Sequence, residues 1–201
     1  MSAEIDFYEL FGFITGVLCV GLLIRQNIWN WPIAIVNALF YIVVFFHAKL
    51  YADVFLQFCF ITINCYGWYA WLRRGSHGER LVVSSLDLGG WLAGFAAIGA
   101  GTWIIGRLLS DHTDAALPYA DALATAISLT AQFLMARKKW ENWILWIAVN
   151  LLYIGIYFMR GLHLTQVLYV IYLVLASMGL REWLRVRRLQ ERELPATIAP
   201  Q

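Results

Sequence analysis

The sequence predicts an all-α integral membrane protein with seven transmembrane helices in a 3+1+3 arrangement. Composition is the first of three observations behind this. Apolar residues make up 61% of the 201 and charged residues 14%, where soluble domains carry roughly a quarter charged, and the mean hydropathy is +0.65. The second is segregation: the few charges cluster between long uncharged stretches, as membrane spans require. The third is an internal repeat at a shift of 112 residues, with 15 identities in the 52 positions from Leu22 to Arg73. That repeat covers three spans, and an unpaired span separates its two copies.

The spans follow in order at 7–24, 31–48, 51–72, 88–109, 119–136, 143–159 and 163–184. Each reaches or approaches the ~20 residues that cross about 30 Å of hydrocarbon. The longest hydrophilic stretch between them, Arg73 to Asp87, is too short for a soluble domain. A single membrane domain over 1–201 is therefore expected, with repeats at 7–72 and 119–184, a linker helix at 88–109 and a tail at 185–201. The linker, "GGWLAGFAAIGAGTWIIG", is rich in Gly and Ala and suits close helix packing. By leaving an odd number of spans in each repeat and one between, it makes the two repeats parallel, related by an axis along the membrane normal.

Orientation follows from the basic residues. Arg25, the Arg73/Arg74/Arg80 and Arg137/Lys138/Lys139 loops and the tail arginines 181, 185, 187, 188 and 192 share one side, which holds twelve of the fifteen Lys and Arg. The positive-inside rule makes that side cytoplasmic and places the N-terminus outside. Lys49, Arg107 and Arg160 fall on the other side. No cleavable signal peptide is evident, so the first span is expected to remain. The basic clusters are explained by topology, and no nucleic acid partner is expected. Cys19, Cys59 and Cys65 lack metal-like spacing and read as small buried hydrophobes. The four histidines share no helix turn, and neither a metal nor a cofactor is expected.

Three helices carry polar or aromatic residues on one face. In the fifth, Asp121, Thr125, Ser128 and Gln132 fall at i, i+4, i+7 and i+11. In the sixth, Trp143, Trp146, Asn150, Tyr153 and Tyr157 step by 3 or 4, and in the third Gln57, Asn64 and Trp68 step by 7 and 4. Polar groups facing lipid would cost about 2 kcal/mol or more each, so these faces point into protein or a wet cavity. One buried amide is commonly interhelical glue worth ~0.6 kcal/mol; whole stripes on three helices favour a ligand cavity. Trp29 and Trp140, beside basic loops, read as interfacial belt residues. Asp121 reads equally as a charge complementing its helix dipole, since the repeat sets Glu9 opposite it. Most of the other stripe residues have no such counterpart: Asn150 faces Ala38, Gln132 faces Val20, Ser128 faces Gly16 and Thr125 faces Phe13, while Asn37 faces Val149. That asymmetry places most of the site in the second repeat.

Such a cavity has indole walls, amides and hydroxyls and no deep basic residue. It suits a flat, neutral or cationic, hydrogen-bonding molecule such as a nucleoside or vitamin, and suits an anion poorly. The segments "NIWNWPIAIVNALFYIVVFFHAKLYADVFLQ", "YGWYAW" and "DALATAISLTAQFLMARKKWENWILWIAVN" resemble the PnuC family of bacterial vitamin transporters, over nearly the whole chain. The resemblance implies a fold like that of SWEET proteins, a homotrimer, and facilitated diffusion of nicotinamide riboside across the inner membrane with intracellular trapping by phosphorylation. It also puts the family's tryptophan-rich binding motif on Trp143, Trp146 and Asn150, and its fifth-helix polar face on Asp121, Thr125, Ser128 and Gln132. Relatives on this scaffold carry thiamine, riboflavin or deoxynucleosides, so another vitamin stays open. An intramembrane enzyme would need a nucleophile–base pair or a metal set within the spans, and none is found. A P-loop is absent as well. A receptor would leave the stripes without a use.

Overall fold

The computed structural model describes residues 2–47, 51–75, 82–113, 117–159 and 163–193. These form seven helices: α1 (Ser2–Ile24), α2 (Asn30–His47), α3 (Tyr51–Gly75), α4 (Leu88–His112), α5 (Pro118–Ala136), α6 (Asn142–Met159) and α7 (His163–Glu193). Lys49, Arg80 and Arg160, used above for orientation, lie outside the described residues. Among the described residues, four helical stretches are long and apolar enough to cross a membrane: Asn30–His47, Leu88–His112, Asn142–Met159 and Gln166–Arg192. Neither α3 nor α5 is among them, and these are helices that carry the polar stripes. Together with the fold likeness given below, these helices define an all-α integral membrane protein.

The chain divides into two compact units, Met1–Leu81 and Val82–Gln201, parting within the hydrophilic stretch after α3. In the first unit α2 packs on both α1 and α3. In the second each helix packs on the next, α4 on α5, α5 on α6 and α6 on α7. Because α5 is covered from two sides, its buried residues run from Ala122 through Ala136.

The repeat recurs bond for bond at the α1–α2 and α5–α6 turns. Asn27 N–H donates to the Leu22 carbonyl at 2.9 Å, and Lys139 N–H to the Leu134 carbonyl at 2.9 Å. Gln26 N–H reaches the Leu23 carbonyl and Lys138 N–H the Met135 carbonyl, again at 2.9 Å each. These pairs form a Schellman motif, which needs a left-handed residue after the helix. Gln26 (φ 53°) and Lys138 (φ 51°) supply it, although neither is the usual glycine, at a strain of roughly 1 kcal/mol or more. The Asn30 and Asn142 side-chain amides then donate to the Asn27 and Lys139 carbonyls at 2.8 and 2.6 Å, starting α2 and α6 alike.

Each unit also contains the same tryptophan core. Trp31 meets Trp71 edge-to-face with ring centroids 5.3 Å apart, and Trp143 meets Trp183 at 5.6 Å. All four indoles are buried. Gly67 and Gly179 make room for Trp31 and Trp143, since a Cβ on Gly179 would lie 2.5 Å from the Trp143 ring. Without a hydrophobic drive between helices in lipid, this close van der Waals fit holds α2 on α3 and α6 on α7.

Helix α7 continues past the expected span end at 184 into the tail as far as Glu193, where Arg185–Glu182 and Arg187–Glu191 pairs lie on an Arg-, Glu- and Leu-rich segment. One expectation is corrected by the fold. The cysteines are not buried: Cys19 and Cys59 are half-buried and Cys65 is exposed. An apolar thiol on an outward helix face costs nothing in hydrocarbon, so burial is not required of it.

Candidate functional site

The second unit brings the α5 and α6 stripes onto adjacent packed helices. Ser128 is buried, and its hydroxyl donates to the Ala124 carbonyl one turn back at 2.8 Å, which leaves its lone pairs to accept. Gln132 is 7% exposed and has a polar partner. Thr125, one turn before Ser128, is half-buried. Asp121 lies in the first turn of α5, after Pro118 at the helix start, and is also engaged. That is where the helix dipole favours a carboxylate.

Asn150 is 5% exposed and makes no side-chain hydrogen bond among the described residues. Its first-unit neighbour in the register behaves differently. The Asn37 amide donates to the Gly12 carbonyl at 3.0 Å and to the Thr15 hydroxyl at 2.6 Å, tying α2 to α1. The positions matching Asn37, Thr15 and Gly12 in the second unit are Val149, Ile127 and Ala124. The polar tie has therefore been replaced by apolar packing, and the amide stands one residue later, turned about 100° around the helix. The Asn150 amide thus keeps both its donor and its acceptor for a ligand.

Trp143 does not join this set. Its shared face with Trp146 leads to the expectation that it stacks on a ligand, but it is 1% exposed, walled by Trp183 and Gly179. The reason is the repeat itself, for Trp31 is walled in the same way in the first unit. Trp146, one turn deeper, is half-buried against the Ala131, Leu134 and Leu145 cluster. Tyr153 belongs to a tyrosine cluster: it lies 5.8 Å from Tyr157, stacked, and 4.7 Å from Tyr169, with Tyr172 beyond at 6.1 Å from Tyr169. Tyr169 and Tyr172 of α7 are aromatic neighbours that the α6 stripe alone does not disclose.

The α3 stripe lies in the first unit and its members differ in setting. Asn64 is 3% exposed and engaged, Gln57 is half-buried, and Trp68 is exposed. The groove between α4 and α5 is lined by none of the expected residues.

One polar cluster escaped the stripe reading altogether. Ser84 N–H donates to the Lys138 carbonyl at 3.1 Å, and Trp140 N–H to the Ser84 carbonyl at 3.2 Å, a short parallel bridge. Lys139 Nζ donates to the Ser85 carbonyl at 2.7 Å and Trp140 Nε1 to the Ser85 hydroxyl at 3.0 Å. Glu141, 1% exposed, accepts from Leu86 N–H at 2.7 Å. Asp87 then caps α4 by accepting from Gly90 N–H at 2.8 Å. This clamp fixes the start of α4 to the α5–α6 turn. Its sequence signal was Glu141, an acid within a basic loop whose register counterpart, Trp29, is 63% exposed.

A chain of membrane-spanning helices with buried polar stripes is built for passage of a small solute, and the comparisons with known proteins agree. Residues 6–185 match the family described as nicotinamide mononucleotide transporter, and the chain belongs to that family. It is 30% identical over 210 residues to the nicotinamide riboside transporter PnuC of Escherichia coli, covering 92% of this chain and 88% of that protein. It is 29% identical over 187 residues to the riboflavin/roseoflavin transporter RibM of Streptomyces davaonensis, covering 90% and 86%. The crystal structure of the vitamin B3 transporter PnuC has a similar fold, with a TM-score of 0.72 at 24% identity over 91% of this chain and 83% of that one. The chain is a multi-pass membrane transporter and not an enzyme.

Proposed function

We propose that the chain carries nicotinamide riboside, a vitamin precursor of NAD, by facilitated diffusion across the bacterial inner membrane, followed by phosphorylation that traps it in the cytoplasm. The observation that carries the reading is the Asn150 amide, 5% exposed and without a side-chain hydrogen bond among the described residues, whose donor and acceptor pair complements a carboxamide. In this reading Gln132, Ser128, Thr125 and Asp121 of the packed helix α5 supply the further polar contacts, and Trp146 and Tyr153 of α6 supply flat faces for a pyridinium ring. Trp143 acts behind them as the packing anchor of α6 and α7.

Charge favours the riboside over the mononucleotide. The stripes contain no Lys or Arg, and taking a phosphate from water without a cation costs several kcal/mol. Their one acid, Asp121, lies at a helix end, which offers no acid–base relay across the membrane and supports a carrier that equilibrates its substrate. The basic side faces the cytoplasm in this reading, the N-terminus lies outside, and the working assembly is a homotrimer.

A flavin is the second reading, because 29% identity to a riboflavin transporter is scarcely below 30% to a nicotinamide riboside transporter. Uptake of labelled nicotinamide riboside into proteoliposomes, with the mononucleotide, riboflavin and thiamine as unlabelled competitors, decides the substrate. Flux of the riboside with strong self-competition and weak competition by the others is expected. Competition by riboflavin at lower concentration than by the riboside itself would reassign it.

A further inference from the structure

Outside the stripes, α4 and α5 enclose a groove of about 760 Å³ that the transport reading does not use. The two helices touch at Gly101, where an added Cβ would lie 3.1 Å from the Ala126 Cβ, and they part from there toward the α4 N-terminus. The floor is Gly90, Ala93, Gly94 and Ala97 of α4, and the α5 wall includes Leu129 and Phe133. At the wide end stand Arg137 and Lys139, with Asp87 and Ser85 across from them. Arg137 is exposed, its guanidinium 5.7 Å from the Phe133 ring centre. Lys139 gives one N–H to the Ser85 carbonyl and keeps two. Asp87 spends one oxygen on Gly90 N–H, so the mouth holds two cations against one partly satisfied carboxylate. The positive end of the α4 dipole adds to them.

We propose that this groove holds an anionic phospholipid of the surrounding membrane, with its phosphate at Arg137 and Lys139 and an acyl chain laid between α4 and α5. Charge selects the headgroup, because basic pockets between membrane helices at the cytoplasmic level favour anionic lipids. Shape suits an acyl chain: from Asp87 to Ala97 the groove runs roughly 15 Å, over a floor of small residues that closes where Gly101 meets Ala126. A fatty acyl chain is thin and flexible enough to follow a wedge that closes at Ala126.

The test uses the purified full-length protein and native mass spectrometry after equilibration with phosphatidylglycerol or phosphatidylcholine. Phosphatidylglycerol should be retained preferentially, by roughly fivefold for each basic residue engaged, and high salt should reduce the preference. Arg137→Gln should lose about fivefold of it. Gly94→Leu, which grows into open space with Thr130 4.0 Å away, should displace both lipids. Equal retention of the two lipids overturns the proposal, as does full retention by Gly94→Leu. Efficient cross-linking between copies carrying Ala93→Cys in a bilayer would assign the groove to a second copy of the chain and overturn it as well.

Discussion

Gly179→Ala separates the packing role assigned to Trp143 from a role in ligand contact. The new Cβ would lie 2.5 to 2.6 Å from three atoms of an indole that is 1% exposed, with Trp183 against it at 5.6 Å. Neither ring can move without displacing the other. Overpacking of this kind costs about 1–3 kcal/mol, and at 2–4 °C per kcal/mol for a chain this size the apparent Tm should fall by about 2–12 °C. Gly67→Ala repeats the insult against Trp31 in the first unit and should cost a similar amount. Tryptophan fluorescence during heating of the purified protein at a fixed scan rate gives the apparent Tm. Substrate affinity per folded molecule should stay within twofold of the parent in both variants. A Gly179→Ala protein with unchanged Tm and lost binding would show that Trp143 contacts the substrate, refuting its assignment as a packing anchor.

Other outcomes follow from the same geometry. Glu141→Ala strips Leu86 N–H of its acceptor and should destabilise the protein by about 1–3 kcal/mol, with increased proteolysis between residues 82 and 90 as the sign of a released clamp; unchanged proteolysis would contradict the clamp. Trp146→Ala should weaken binding by roughly 1–3 kcal/mol while the protein still folds, and a titration of the folded variant checks this. Proteoliposomes lacking a kinase should equilibrate labelled nicotinamide riboside without concentrating it, and accumulation driven by an imposed proton or sodium gradient would show coupling that this reading lacks.

The helices were legible in the sequence because a bilayer forces long uncharged stretches, and the repeat was legible because Asn30/Asn142, Trp31/Trp143, Gly67/Gly179 and Trp71/Trp183 kept both identity and spacing. What those identities meant was less legible. A tryptophan on a polar stripe reads as a wall for a ligand, and only the ring opposite it and the glycine beneath it show that Trp143 is enclosed. The same matched pairs held the clue, since a residue kept in both halves serves what both halves share. Asn37 and Asn150 look alike in sequence, one residue out of register, yet Asn37 finds partners on α1 and Asn150 finds none among the described residues. The clamp from Glu141 to Leu86 was hidden for a different reason. It joins residues 55 apart through a backbone N–H, and backbone donors leave no mark in a sequence pattern.

The most direct test of the account is equilibrium binding of nicotinamide riboside, by calorimetry on purified folded protein, to the parent, Asn150→Ala and Asn37→Ala. If Asn150 meets the carboxamide, its removal should cost about 1–3 kcal/mol, or one to two decades in Kd. Asn37→Ala should instead lower the apparent Tm, by loosening α2 from α1, with Kd changed by less than threefold. Normal binding by Asn150→Ala together with loss of binding by folded Asn37→Ala would contradict a site built mainly from the second repeat.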